Sequence, residues 1–417
     1  MPVLLLADLV SARPASRADI DGPYAWARMV VSLFLGSFGA VGIWAIVVVL
    51  PAVQEEFGVE RADASIPYTL AMIGFGAGNM LIGRAIDRHG VILPLLVATV
   101  TLAIGFVAAA FTTSLWPFAL IHLAIGFGNA ATFAPLMADI SHWFDKRRGI
   151  AVATVACGNY LAGAVWPLVI SWALGQGGWR FAYILIGVLC LVAMAPTIAL
   201  LRRPSPRLGI AGSAMAIGAK SIDLSPRMLQ AMLMVAGFGC CMAMAMPQVH
   251  IVAYCADLGY GPARGAEMLS LMLGAGIVSR LGSGFLADRI GGVKTLLIGS
   301  VLQGLALFLY LPFDALVSLY VVSFVFGLSQ GGIVPSYAVI VREYMAPQEA
   351  GRRIGLVIMA TVVGMAVGGW MSGWIYDLTG SYAAAFINGI AFNVLNVAVM
   401  LLILWRGSTR TPKLAAA

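Results

Sequence analysis

Charge is scarce in this sequence. Asp, Glu, Lys and Arg make up 10% of the 417 residues, 61% are hydrophobic, and the mean hydropathy is +0.95. A water-soluble globular domain is excluded, because its charged share lies near about 25%. Cysteine is scarce too. Cys157, Cys190, Cys240, Cys241 and Cys255 fall within or at the ends of apolar stretches and have no metal-ligand spacing, so neither a disulfide framework nor a metal site is expected. Met1 to Val10 lacks a basic region ahead of its short apolar run and does not read as a signal peptide. No glycine-rich phosphate loop and no nucleophile motif occur, which argues against nucleotide-driven work and against an enzyme.

Long apolar runs are abundant. They recur at approximately 27–50, 63–84, 91–112, 116–139, 149–173, 179–201, 228–254, 265–286, 293–312, 315–341, 354–375 and 382–405. A spanning helix needs about 20 mostly apolar residues, so these predict an all-α membrane protein of twelve transmembrane helices with little chain to spare.

The 25 Lys and Arg are sorted by connection. Twenty-one fall in the N-terminal segment, the even-numbered connections and the C-terminus; only Arg61, Arg180 and Arg264 fall in the odd-numbered ones. The positive-inside rule then predicts cytoplasmic termini. The net charge of +7 reports topology and lipid headgroups, and no nucleic-acid partner is expected. The polar connection 202–226, opening Arg202-Arg203-Pro204-Ser205-Pro206-Arg207, divides the chain. The expected organisation is a cytoplasmic segment 1–26, a six-helix bundle 27–201, the linker, a second bundle 227–406 and a tail 407–417.

The two halves repeat each other. Gly83-Arg84-Ala85-Ile86-Asp87-Arg88-His89-Gly90 follows the second run, and Gly284-Phe285-Leu286-Ala287-Asp288-Arg289-Ile290-Gly291 the eighth, both reading G-x-x-x-D-R-x-G at an offset of 201. Two pseudo-symmetric six-helix halves are the build of major facilitator transporters, and the motif resembles that superfamily's signature between its second and third helices. Gly83, Asp87, Arg88, Asp288 and Arg289 are therefore expected in tight cytoplasmic loops that gate conformational change.

One cation, Arg280, belongs to neither set of connections. It lies about 6 Å from the middle of the eighth run, and the nearest acid on that helix, Asp288, is about 12 Å below. Burying a guanidinium costs at least a few kcal/mol, so it either binds an anion, which Arg grips in bidentate fashion, or snorkels or pairs with a structural acid elsewhere. Its counterpart at the 201-residue offset is Asn79, a candidate substrate contact or an interhelical hydrogen-bonding residue. His122, Asn159, Tyr160 and Tyr337 stand at helical depth as further substrate-binding candidates, with packing as the alternative for each. No acid is expected deep in a span, because Glu55, Glu56, Asp63, Asp257 and Glu267 lie toward the outer ends; His250, seven residues before Asp257, is the candidate proton carrier with that aspartate. Gly74-x-x-x-Gly78, Gly364-x-x-x-Gly368 and Gly369-x-x-x-Gly373 predict close helix faces.

Two stretches narrow the family. Asp21-Gly22-Pro23-Tyr24-Ala25-Trp26 resembles the acidic-Gly-x-x-x-Trp signature of the monocarboxylate porter family, and Trp143-Phe144-Asp145-Lys146-Arg147-Arg148-Gly149, followed by Ala156-Cys157-Gly158-Asn159-Tyr160-Leu161-Ala162-Gly163, resembles its second signature. The resemblance implies a bacterial monocarboxylate porter in the inner membrane, a small carboxylate held by Arg280 between the halves, proton symport by alternating access, and no cofactor. A monomer is expected. The chain departs from the animal members at Gly276, where they carry an aspartate, and in span one, where their lysine is missing. An organic-anion exchanger of the oxalate–formate kind, an efflux protein and a transporter-like sensor are the alternatives.

Overall fold

The structure is a computed structural model that describes residues 19–203 and 222–408. Most of the linker 202–226, the extreme N-terminal segment and the tail from 409 lie outside the described residues. The described chain is helical nearly throughout. In a hydrocarbon solvent every backbone polar group must be bonded within its own segment, so the apolar runs become helices.

Among the described residues, eleven helical stretches are long and apolar enough to cross a membrane. One of them, Arg148–Leu201, has 54 residues. As one straight helix it would measure about 80 Å against a hydrocarbon core of about 30 Å. The helix is broken by a kink at Gly177–Gly178, where the φ of 73° at Gly178 lies in the left-handed region that suits glycine.

In chain order the helices are α1 (Pro23–Gly39), α2 (Val41–Phe57), α3 (Arg61–His89), α4 (Ile92–Ala110), α5 (Leu115–Ala130), α6 (Ala134–Ser141), α7 (Arg148–Ala156), α8 (Gly158–Ile198), α9 (Pro226–Asp257), α10 (Pro262–Ile290), α11 (Gly292–Leu309), α12 (Leu316–Gln330), α13 (Ile333–Tyr344), α14 (Pro347–Thr379) and α15 (Tyr382–Ser408). They form two compact units. One comprises the described parts of Met1–Ala211 with Val249–Gly274; the other comprises those of Gly212–Gln248 and Ala275–Ala417.

Glycine sets the tightest packing in each unit. In the first, α3 and α5 touch backbone to backbone: a Cβ on Gly74 would lie 2.0 Å from the Leu123 carbonyl oxygen, and one on Gly126 1.9 Å from that of Ala71. In the second, a Cβ on Gly364 of α14 would meet the Phe238 carbonyl of α9 at 2.5 Å. The steps Gly74-x-x-x-Gly78 and Gly364-x-x-x-Gly368 read from the sequence are thus helix faces pressed against a neighbour.

The duplicated G-x-x-x-D-R-x-G segments differ from expectation in one respect. Gly83, Asp87 and Arg88 are not in a loop but in the last turns of α3, and Asp288 and Arg289 likewise end α10. Only the closing glycines turn the chain, with φ of 74° at Gly90 and 86° at Gly291, each capping its helix through a 2.9 Å N–H bond to the carbonyl four residues back. Asp and Arg are compatible with a helix end, so nothing stops the helix before the glycine does. Arg88, Asp288 and Arg289 are exposed, and the side chain of Asp87 lies outside what is described.

Candidate functional site: broken helices and buried arginines

Several helices are interrupted at depth: α1 from α2 at Ala40, α5 from α6 at Ala131–Phe133, α7 from α8 at Cys157, and α12 from α13 at Gly331–Gly332. Each break frees backbone groups that must find partners.

In the second unit the break between α12 and α13 rests on α10. A Cβ on Gly331 would stand 2.3 Å from the Gly276 carbonyl oxygen and 2.7 Å from the Arg280 nitrogen, and one on Gly332 2.2 Å from Ser283 Cβ, so only glycine permits this crossing. Arg280, 9% exposed, donates from Nε to the Gly331 carbonyl at 3.3 Å. Gly276, where the animal porters carry an aspartate, meets Gly331 through its backbone carbonyl, and Gly331 is the small residue that the crossing needs.

Tyr337 of α13 is fully buried in a polar network of this unit. Its hydroxyl donates to Asn396 Oδ1 at 3.2 Å, whose amide donates to Ser300 Oγ at 2.7 Å; alongside, Asn393 donates to Gln303 Oε1 at 3.1 Å and Gln303 to the Cys240 carbonyl at 3.2 Å. Tyr337 is therefore a packed core residue, contrary to its expected place in a binding site.

In the first unit three breaks meet. A Cβ on Gly39 would strike Thr132 Oγ1 at 2.0 Å, and one on Gly158 would approach Gly36 Cα at 3.1 Å. Indoles take up carbonyls there: Trp166 Nε1 donates to the Ser37 oxygen at 3.0 Å, and Trp44 Nε1 to the Asn159 carbonyl and Oδ1 at 3.1 and 3.2 Å. Asn159 thus lies at the meeting point, half-buried, with buried Tyr160 beside it in α8. Asn79 donates to the Phe75 carbonyl at 2.8 Å, while its Oδ1 is buried without a hydrogen-bond partner among the described residues.

His122 sits elsewhere. It is wholly buried among Phe118, Trp179 and Tyr183. Its Nδ1–H donates to the Phe118 carbonyl at 2.8 Å, which leaves Nε2 to accept the Tyr183 hydroxyl at 2.9 Å. With both nitrogens bonded inside the aromatic cluster, no capacity is left for a substrate, and the expectation that His122 binds one is corrected. His250 is fully buried in α9. Asp257 is engaged by Arg61, whose two terminal nitrogens meet both carboxylate oxygens at 3.1 Å.

A feature absent from the sequence reading is Arg28. Counted there as a basic cytoplasmic residue, it is 1% exposed and fully used. Nε and one terminal nitrogen meet Asp139 at 2.7 and 2.9 Å; the other reaches the Tyr24 hydroxyl and the carbonyls of Leu201 and Arg203 at 3.0–3.1 Å. The signal was Asp139, an acid at the inner end of an apolar run that needs a buried base. Around Arg28 the two signature stretches dock on each other. The Asp21 carboxylate accepts the backbone N–H groups of Asp145 and Lys146 at 3.2–3.3 Å, Trp26 packs on Phe144, and Tyr24 on Trp143.

The Major Facilitator Superfamily model matches residues 32–316 and 267–417. Monocarboxylate transporter 13 of Bos taurus is 29% identical over 384 residues, covering 89% of this chain and 87% of its own length. Monocarboxylate transporter 4 of Rattus norvegicus is 27% identical over 412 residues, covering 91% and 83%. Both are mammalian, so they support the family part of the resemblance and not its bacterial placement. A bacterial homologue of the human lysosomal transporter Spinster, solved inward-facing and unoccupied, matches with a TM-score of 0.70 at 12% identity over 95% of this chain and 98% of its own, a likeness of fold. The chain is a multi-pass membrane transporter, not an enzyme, and it belongs to the Major Facilitator Superfamily.

Proposed function

We propose that the protein carries a small monocarboxylate across the membrane by alternating access, through twelve spans in two six-helix halves with both termini cytoplasmic. The observation that carries the substrate class is Arg280: a guanidinium buried at a helix break, in a chain similar along most of its length to monocarboxylate transporters. The buried Arg28, Arg61 and Arg203 each face a carboxylate, of Asp139, Asp257 and Asp19. Their charge is committed to holding helices together. Arg280 faces the carbonyl end of a broken helix, and a carboxylate there gains a charge-assisted, bidentate contact.

Proton symport in a bacterial inner membrane is the coupling we propose, with His250 the candidate carrier. Asp257 is occupied by Arg61, which favours a carrier role for the histidine or for the substrate itself. Uptake of labelled lactate, pyruvate and larger carboxylates into proteoliposomes, with and without a pH gradient, tests both proposals. Wild type is expected to accumulate a monocarboxylate only with the gradient, and Arg280→Ala to lose uptake at least 100-fold, since a charged hydrogen-bonded pair is worth roughly 3 kcal/mol or more. Undiminished transport by the mutant rejects the role of Arg280. Uptake indifferent to the gradient rejects symport.

A further inference from the structure

We infer that the second unit holds an anionic phospholipid, with the phosphodiester on Arg227 and Arg352 and one acyl chain in the groove between α9 and α14. The inference needs only that these helices cross a membrane, and it is independent of the reading of Arg280.

Both helices are long and apolar enough to do so. They are fastened to each other near their starts, where Arg353 donates to the Pro226 carbonyl and Gln230 Nε2 to the Arg353 carbonyl, each at 3.2 Å. Deeper, they meet again through glycine: a Cβ on Gly237 would stand 3.0 Å from Thr361, and one on Gly364 2.5 Å from the Phe238 carbonyl oxygen. Beside this line of contact runs a groove of about 400 Å³. Its walls are Met234, Val235 and Phe238 on α9 and chiefly Leu356, Met359 and Val363 on α14. Every lining side chain is apolar, and Val235, Leu356 and Val363 are 45%, 41% and 43% exposed, so the groove is open to its surroundings.

Helical register continues each wall to a cation. Seven residues back from Met234 and eleven back from Phe238 stands Arg227; four, seven and eleven back from Leu356, Met359 and Val363 stands Arg352. These spacings keep each arginine on the helix face of its wall, about 10 Å along the axis from Met234 and from Met359. Both arginines are exposed, and neither has a hydrogen bond or an ion pair among the described residues. The neighbouring acids are already engaged: Glu349 accepts from Arg353 Nε at 2.8 Å, and Asp223 lies 3.9 Å from Arg406.

An apolar groove headed by two unanswered guanidiniums selects an amphiphile with an acidic head. A small soluble anion gains nothing from the walls, and a zwitterionic lipid brings no net charge to the arginines. An anionic phospholipid meets both: its phosphate oxygens accept the guanidinium N–H groups, and its chain removes the walls from contact with other solvent. Two cations also exceed what the single carboxylate of a fatty acid requires.

The test is titration of detergent-purified, full-length protein with phosphatidylglycerol and with phosphatidylcholine of the same chains, read by native mass spectrometry. Wild type should retain one phosphatidylglycerol at a concentration roughly tenfold or more below that needed for phosphatidylcholine, since each arginine at a headgroup contributes several-fold. The double variant Arg227→Gln, Arg352→Gln should erase this preference, whereas Arg202→Gln, at an exposed arginine of the first unit, should leave it intact. Ala360→Phe, which fills the groove, should weaken retention of phosphatidylglycerol although both arginines remain. Equal retention of the two lipids by wild type overturns the inference, as does an undiminished preference in the double variant or unchanged retention by Ala360→Phe. Displacement of the lipid by an equal concentration of free glycerophosphoglycerol would mean a headgroup site without the groove, and displacement by oleate a site for carboxylic amphiphiles; either result overturns it. If the variants do not purify as monodisperse protein, the two lipids and the two competitors on wild type decide.

Discussion

At the scale of single residues, the buried Arg28, Arg61 and Arg203 each meet a carboxylate of the protein, and we propose that Arg280 meets that of the substrate. Arg28 bonds to Asp139, Tyr24 and the carbonyls of Leu201 and Arg203 within its own unit, and its fork is matched by the Asp139 carboxylate. Removing one partner of such a pair strands a buried charge, at a cost of about 3–5 kcal/mol. Arg28→Ala and Asp139→Ala should each lower the thermal midpoint in detergent by several degrees, and the double variant should lose less than the sum of the two. Additive losses in that cycle would mean that the two side chains do not act as a pair. Sequence reading found Arg280 because its charge stands far from any loop. It missed Arg28 because position near a helix end is compatible with solvent, and only the fold of α1 against α6 and the end of α8 removes that solvent.

At the scale of elements, glycine separates contact from punctuation. Gly126 presses on the Ala71 carbonyl, and Gly126→Val should cost about 3 kcal/mol or more through overpacking that neither helix can relieve. Gly83 has nothing within 4 Å of a built Cβ and lies inside α3. Gly83→Ala should therefore be neutral or stabilise by roughly 0.5–1 kcal/mol. Paired melting curves check both, and a stable Gly126→Val protein would show that α3 and α5 separate easily. The spacing Gly74-x-x-x-Gly78 was legible as a helix face. That the G-x-x-x-D-R-x-G segments are helical up to Gly90 and Gly291 was not, because a charged run reads alike in a loop and in an exposed last turn.

At the scale of the whole molecule, the distribution of 21 cations against three in the connections predicts the orientation of the chain. All five native cysteines are buried, so they offer a quiet background for labelling. A membrane-impermeant maleimide added to intact cells should modify a cysteine introduced at Arg264, and should reach one at Arg88 only after permeabilisation; the reverse pattern would invert the topology. The hydropathy runs already specified an all-helical membrane protein, since a nonpolar solvent leaves the backbone little choice but the helix, and the central polar connection and the 201-residue repeat predict two related halves. Where the helices break, and which polar groups the breaks gather, depends on approaches between segments far apart in sequence, such as Gly331 on Gly276 and Gly39 on Thr132. Periodicity carries no trace of such approaches. The sequence alone determined the solvent, the repeat and the odd cation Arg280, while tertiary structure decided that His122 and Tyr337 are core and that Arg28 is a clamp, because burial and hydrogen-bond partners exist only once the helices are packed.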